Sequence, residues 1–192
     1  MNAILGGITQ VNGQSRSVAA VKLFWLAQGL RVLSASYAVW VLLRVVRWWT
    51  DSEKVIKNMG LYLGRDLSAL TASPRMIAMA LDLGAWLLLL AAVVCCWKSL
   101  GLLIREHTFT QPMARLLAWA GWLGALCQGL TLLMRPMQTY LMTAHLPPGE
   151  QVFRWAFYPH DLLSTLLCGM LLCFAYLIAW AVDVAEENRG FI

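Results

Sequence analysis

The chain has 192 residues, of which 60% are hydrophobic and only 13% are charged. Soluble domains carry about 25% charged residues, so this composition excludes a water-soluble fold and requires apolar side chains that face lipid. The net charge of +5 does not indicate nucleic-acid binding, because the 15 basic residues are scattered among loops and helix ends. Basic residues that flank membrane spans are ordinary in membrane proteins.

The order of polar and apolar segments predicts an all-α membrane protein with four transmembrane helices. Residues 1–17 are polar and lack the basic-then-apolar order of a signal peptide, so we expect a flexible tail before an uncleaved first helix. Residues 18–185 form the transmembrane domain and 186–192 a C-terminal tail. Each apolar stretch has about 20 residues, enough to cross a ~30 Å hydrocarbon core as a helix. The predicted spans cover residues 23–43, 76–97, 113–134 and 162–182.

The loops differ in character. Loop 1 carries Val55, Ile56, Met59 and Leu63 on one helical face, which predicts an amphipathic helix lying at the membrane interface. Loop 2 is short. Loop 3, from Arg135 to Pro159, contains several prolines, so we expect that it is not one continuous helix.

No sequence motif indicates catalysis or a cofactor. The metalloprotease, nucleophile-elbow and phosphate-loop motifs are absent, and the histidines lie in loops or at a helix start. All five cysteines fall within the predicted spans and none form a C-x-x-C pair, which favours apolar packing over a metal or redox site. We therefore expect a protein that is not an enzyme and holds no metal or cofactor.

Polar side chains inside the spans are candidates for a functional site, because a charge in hydrocarbon costs about 2.5–3.5 kcal/mol on insertion scales. Counting from Lys22 and Arg47 at the two interfaces places Arg31 near mid-depth, with Gln28 one turn before it. Asp82 in the second span is the expected partner of Arg31, and Gln128 lies deep in the third. Three alternatives remain open: a packing pair, a ligand, ion or proton site, or an Asp82 that is hydrated near the interface.

Small and polar residues recur at helical spacing on every span, which predicts a compact bundle with these stripes turned inward. The stripes are Gln28, Arg31, Ala35 and Ala38; Ala78, Asp82, Ala85 and Ala92; Ala118, Gly121, Ala125 and Gln128; and Asp161, Thr165, Cys168, Ala175 and Ala179.

Two segments in the second half resemble a large family of uncharacterised four-span bacterial membrane proteins. One is the turn with Arg105, the Phe109–Thr110 pair and Arg115–Leu116, although the family's asparagine is missing at Gln111–Pro112–Met113. The other begins with Asp161–Leu162–Leu163 and ends on the Glu-rich stretch up to Ile192. Members often accompany helix-turn-helix regulators of the Cro/repressor kind. The resemblance implies a regulatory role in the bacterial inner membrane.

Charge counting does not fix the orientation. With the N-terminus inside, six basic residues are cytoplasmic and eight lie on the other side. An even number of spans puts both termini on one side, and the resemblance favours the cytoplasm. Acidic residues at the end of a helix oppose its dipole, so we expect Glu186 and Glu187 to find a basic counterpart in loop 2 as the tail folds back. The expected partner surface comprises Arg105, Phe109, Thr110, Arg115, Glu186, Glu187, Phe191 and Ile192.

These patterns lead to one main hypothesis and two alternatives. The main hypothesis is a non-enzymatic inner-membrane protein with a sensory or regulatory role exercised through a protein partner, with lipids around it and no direct nucleic-acid contact. One alternative is an accessory or immunity-type subunit that binds another membrane protein, which predicts an uncovered stripe of small residues. The other is a small carrier or channel, which predicts a hydrated cavity that reaches Arg31. The sequence leaves the oligomeric state open.

Overall fold

The computed structural model describes the backbone of residues 2–106 and 108–189, and the side chains of 21–106 and 108–188. In chain order its helices are α1 (Asn2–Thr50), α2 (Ser52–Leu63), α3 (Ala72–Glu106), α4 (Gln111–Thr143) and α5 (Pro159–Arg189). Four of these, all except α2, are long and apolar enough to cross a membrane. Each contains one predicted span, and the predicted all-α, four-helix membrane fold is confirmed. The chain is a multi-pass membrane protein.

The long helices pack in an open row. Helix α3 lies between α1 and α4, and α4 lies between α3 and α5. Within the described part of the chain, α1 does not pack along α5. The outward faces carry large apolar side chains that are more than half exposed, such as Leu163, Leu167 and Met170, as expected of surface that faces lipid. The row therefore leaves a lateral opening between its two outer helices.

Small residues allow the helices to approach closely. Ala38, Ala78 and Ala175 are almost fully buried between helices, so the predicted stripes of small residues turn inward. Thr165 of the α5 stripe is the exception, since its side chain is exposed. Helices α4 and α5 approach closely at Gly121, where an added Cβ would lie 2.7 Å from Cγ of Leu172.

The predicted amphipathic helix of loop 1 is α2. Asp51 caps its N-terminus by accepting a hydrogen bond from the backbone N–H of Lys54. The Lys54 ammonium, 2.6 Å from the Asp51 carboxylate, and this backbone bond hold the pKa of Asp51 below its usual value. Gly64 ends it in the left-handed conformation at φ 64°. Val55 is fully buried and packs in a cluster with Trp49, Ala78 and Met142. The cluster fixes α2 across the ends of α1, α3 and α4.

Loop 3 is not one continuous helix, as expected, because residues 144–158 lie between α4 and α5. Its first part is helical, however, since α4 continues past the predicted end of the third span, through the buried Pro136, to Thr143. The Thr139 hydroxyl donates to the Pro136 carbonyl at 2.9 Å. Arg135, assigned to loop 3 from the sequence, is consequently a helical residue.

Both tails also differ from expectation. The polar stretch predicted as a flexible tail is helical from Asn2 onward as the first part of α1. At the other end α5 continues through Glu186 and Glu187, so these residues do not fold back over loop 2. Phe191 and Ile192 lie outside the described residues.

Candidate functional site

A cleft of about 590 Å³ lies inside the open row, and its mouth is the gap between α1 and α5. Aromatic side chains of α1 and α3 form much of its wall, including Tyr37, Trp40, Trp48 and Trp86. Small residues of α3, α4 and α5 form the floor: Ala85, Gly124, Cys127, Ser164 and Cys168. Among the predicted intramembrane site residues, Asp82 and Gln128 line this cleft.

Asp82 is held at one end of the cleft by two hydrogen bonds. The Trp49 indole N–H donates to one carboxylate oxygen at 2.7 Å, and the Gln138 amide donates to the other at 2.6 Å. These bonds join α1, α3 and α4 at the end of the bundle that α2 covers. The partner of Asp82 is therefore a pair of neutral donors, which fix its orientation.

Gln128 belongs to a second network, which joins α4 to the start of α5. Its amide donates to Asp161 at 3.0 Å, and both terminal nitrogens of Arg135 donate to the same carboxylate at 2.5 and 2.7 Å. The backbone N–H of Tyr158 adds a fourth bond at 2.8 Å. Asp161 is fully buried. This bidentate pair locks two helix ends together and closes the cleft beside Gln128.

Arg31 lies far from both networks. Its guanidinium stacks over Trp97 at 4.9 Å and its Nη1 is 3.4 Å from the Gln28 side-chain oxygen. Trp97 is near the loop 2 end of α3, whereas Asp82 is at the α2 end. Arg31 and Trp49 are separated along α1 by about 27 Å at 1.5 Å per residue. The predicted Arg31–Asp82 pair is therefore wrong.

The predicted partner surface is partly assembled at the loop 2 end. The Gln111 amide donates to the Ala179 carbonyl at 3.1 Å and to the Asp183 carboxylate, which joins the start of α4 to the last turns of α5. The members of that surface within the described side chains lie at this end: Arg105, Phe109, Thr110, Arg115, Glu186 and Glu187. Thr110 is the N-cap residue of α4, and Phe109 is 58% exposed.

The expected ion pairs between the acidic end of α5 and loop 2 are absent. Glu186 and Glu187 are exposed, and neither forms an ion pair with Lys98, Arg105 or Arg115, whose side chains are all described. The predicted basic counterpart of Glu186 and Glu187 is therefore not found in loop 2, and the contact at this end of α5 is the hydrogen bond from Gln111 to Asp183.

Sequence reasoning missed Arg135 and Gln138. Both were assigned to loop 3 because the third apolar stretch ends at Met134. Their spacing from Gln128, seven and ten residues, places all three near one helical face, and this was the signal that could have revealed the polar stripe.

The cleft can hold a hydrophobic group and offer it two polar contacts. Asp82 and Gln128 supply hydrogen-bond acceptors and an amide donor at its floor. In the described part of the chain no group of three His, Cys, Asp or Glu side chains converges as metal ligands.

The comparisons with known proteins found no match to a family model, to a curated protein or to a solved structure.

Proposed function

We propose that this chain is a non-enzymatic protein of the bacterial inner membrane that has a sensory or regulatory role exercised through a protein partner. The cleft between α1 and α5 would receive one transmembrane helix of that partner. The observation that carries the proposal is the uncovered floor of small residues facing the gap between the two outer helices. Surfaces of this kind let a second helix approach closely.

The polar groups of the floor favour a helix over a lipid chain as the occupant. Asp82 and Gln128 each retain acceptor capacity beyond their hydrogen bonds in the structure. In a bilayer such groups form hydrogen bonds with side chains of a neighbouring helix. In model peptides these bonds stabilise helix association by about 1–2 kcal/mol. An acyl chain offers them no donor. A partner helix with a hydroxyl or amide side chain would pack its apolar residues against the aromatic wall and donate hydrogen bonds to Asp82 and Gln128.

The carrier alternative is disfavoured by the position of Arg31. That hypothesis predicts a cavity reaching Arg31, yet the residues that line the cleft end at Tyr37 on α1 and do not include Arg31.

A second contact surface is favoured at the other end of the bundle, where Gln111 joins α4 to α5 and the Phe109 side chain is exposed. A cytoplasmic regulator would bind there if both termini are cytoplasmic, as the even number of spans and the family resemblance suggest.

The experiment is affinity capture in mild detergent with a matched pair of variants on α5. Ser164→Phe fills the floor of the cleft, whereas Leu163→Phe enlarges the adjacent side chain, which is 58% exposed to the lipid side. We expect Ser164→Phe to lose a co-purifying membrane protein that the wild type and Leu163→Phe both retain. Retention by both variants would show that the cleft is not the docking surface. A soluble partner lost only on deletion of residues 186–192 would assign the role to the loop 2 end.

A further inference from the structure

A second pocket, of about 310 Å³, lies on the outside of the bundle between α2, α4 and the segment 151–158 that precedes α5. We call it the headgroup pocket. Its polar lining residues are Asn58, Tyr62, Arg135, Gln138, Thr139, Arg154 and Tyr158. Trp48 and Met59 add an apolar side. Two arginines and two tyrosines thus converge on one small volume at the α2 end.

The segment 151–158 is held by a stripe of three α4 residues spaced four positions apart, Arg135, Thr139 and Thr143. The Thr143 hydroxyl accepts from the backbone N–H of Val152 at 2.9 Å, and the Thr139 hydroxyl accepts from that of Arg154 at 3.2 Å. One stripe position further, Arg135 donates to the Ala156 carbonyl at 2.9 Å. Every fourth residue of α4 is about 6.0 Å further along the helix axis, and every second residue of an extended segment is about 6.6 Å further along the chain. The spacing of the α4 stripe therefore matches the spacing of alternate residues in the segment. The match keeps alternate residues of the segment against α4.

The same alternation turns three aromatic side chains outward. Phe153, Trp155 and Phe157 are 58, 61 and 66% exposed. They lie at the end of the apolar spans, next to the amphipathic helix α2. Exposed aromatic rings at this position are the interfacial belt typical of membrane proteins. The headgroup pocket therefore opens at the level where lipid headgroups lie.

The pocket has an excess of positive charge. Asp161 neutralises Arg135 through the bidentate pair. Arg154 forms no ion pair with a described carboxylate; its Nη1 donates to the Tyr62 carbonyl at 3.3 Å, and its guanidinium stacks over the Tyr62 ring at 5.1 Å. The Tyr158 hydroxyl donates to the Tyr62 hydroxyl at 3.5 Å, and this contact raises the pKa of Tyr62 above its usual value.

We propose that the headgroup pocket binds the phosphodiester of an anionic phospholipid. The Arg154 guanidinium supplies a planar fork of donors that suits two phosphate oxygens, and the Tyr62 hydroxyl and the Asn58 amide supply further donors beside it. The apolar side at Trp48 and Met59 contacts the start of an acyl chain. This site is independent of the cleft between α1 and α5, and it does not depend on the proposed partner.

The test is a lipid titration of the purified full-length chain in mild detergent, followed by native mass spectrometry. The probes are dioleoylphosphatidylglycerol, dioleoylphosphatidylcholine and inorganic phosphate. A hydrogen bond to a charged group is worth about 1.5–3 kcal/mol, so Arg154→Gln should weaken phosphatidylglycerol binding by at least about tenfold. Tyr62→Phe removes only a hydroxyl and should weaken it several-fold. Arg47→Gln is the matched control, because this exposed arginine is at the same end but does not line the pocket.

The outcomes separate the sources of the phosphate group. Selective loss of phosphatidylglycerol in the two pocket variants, with Arg47→Gln unchanged, supports the proposal. Equal affinity for the zwitterionic lipid would overturn it, because the pocket would not distinguish charge. Binding of inorganic phosphate through Arg154 without any phosphatidylglycerol adduct would overturn it in favour of a soluble phosphate ligand. If Arg154→Gln does not fold, unchanged binding by Tyr62→Phe would be sufficient to reject the site.

Discussion

Replacing Asp161 with Asn tests whether the buried network holds the ends of α4 and α5 together. The side chain of Asp161 is fully buried and accepts four hydrogen bonds, two of them from Arg135. Asn keeps the shape but turns an amide donor toward other donors and leaves the guanidinium unpaired. Breaking a buried pair in this way costs about 3–5 kcal/mol. Because the Arg135 side chain is 20% exposed and can be hydrated, we expect about 3 kcal/mol.

Thermal unfolding in detergent, followed by tryptophan fluorescence, measures this loss. For a chain of this size 1 kcal/mol corresponds to about 2–4 °C, so the Tm should fall by about 6–12 °C. Asp183→Asn is the control, because Asp183 is exposed and accepts from Gln111 at the other end of the bundle; its Tm should change by less than about 3 °C. Equal shifts for the two variants would refute the structural role of Asp161.

The sequence predicted those features that depend on nearby residues. The spans followed from the length of the apolar stretches, and the amphipathic helix followed from the spacing of Val55, Met59 and Leu63. Both are set by the helical repeat and by the thickness of the bilayer. The inward orientation of the small residues followed from the same repeat, which is why Ala38 and Ala78 are buried as expected.

The register between helices could not be predicted, and the error at Arg31 follows from this. Counting along α1 placed Arg31 midway between Lys22 and Arg47. The position of α1 against α3 is instead set by contacts between distant residues, such as the Trp86 indole N–H that donates to the Ala38 carbonyl at 2.9 Å. Those contacts place Arg31 level with Trp97. The sequence of a single helix does not determine how far that helix is shifted along its axis relative to the neighbouring helix.

The Arg135 network was missed for a different reason. The apolar stretch of the third span ends at Met134, so Arg135 was assigned to loop 3. In a membrane protein a proline is tolerated within a helix where neighbouring elements and hydroxyl side chains satisfy the freed backbone groups, and α4 continues through Pro136 to Thr143. Asp161 was recognised as the start of the last span, yet its partner stayed hidden because the two residues are 26 positions apart.

Two further experiments test the membrane topology and the contact between α4 and α5 at Gly121. Cysteines placed singly within 1–15 and 186–192 in a cysteine-free background should resist an impermeant thiol reagent in intact cells; labelling at both ends would reverse the orientation, and labelling at one end would exclude four spans. Gly121→Ala should destabilise the bundle by about 1–2 kcal/mol, because the new Cβ would lie 2.7 Å from Cγ and 2.8 Å from Cδ2 of Leu172, so the leucine side chain or the helix that carries it must shift. Gly129→Ala is the matched control, since no atom lies within 4 Å of its added Cβ and the better helix propensity of Ala should stabilise α4 by up to about 1 kcal/mol. The two Tm shifts, measured in the same detergent, should have opposite signs. Shifts of the same sign and size would show that α4 and α5 are not in close contact at Gly121.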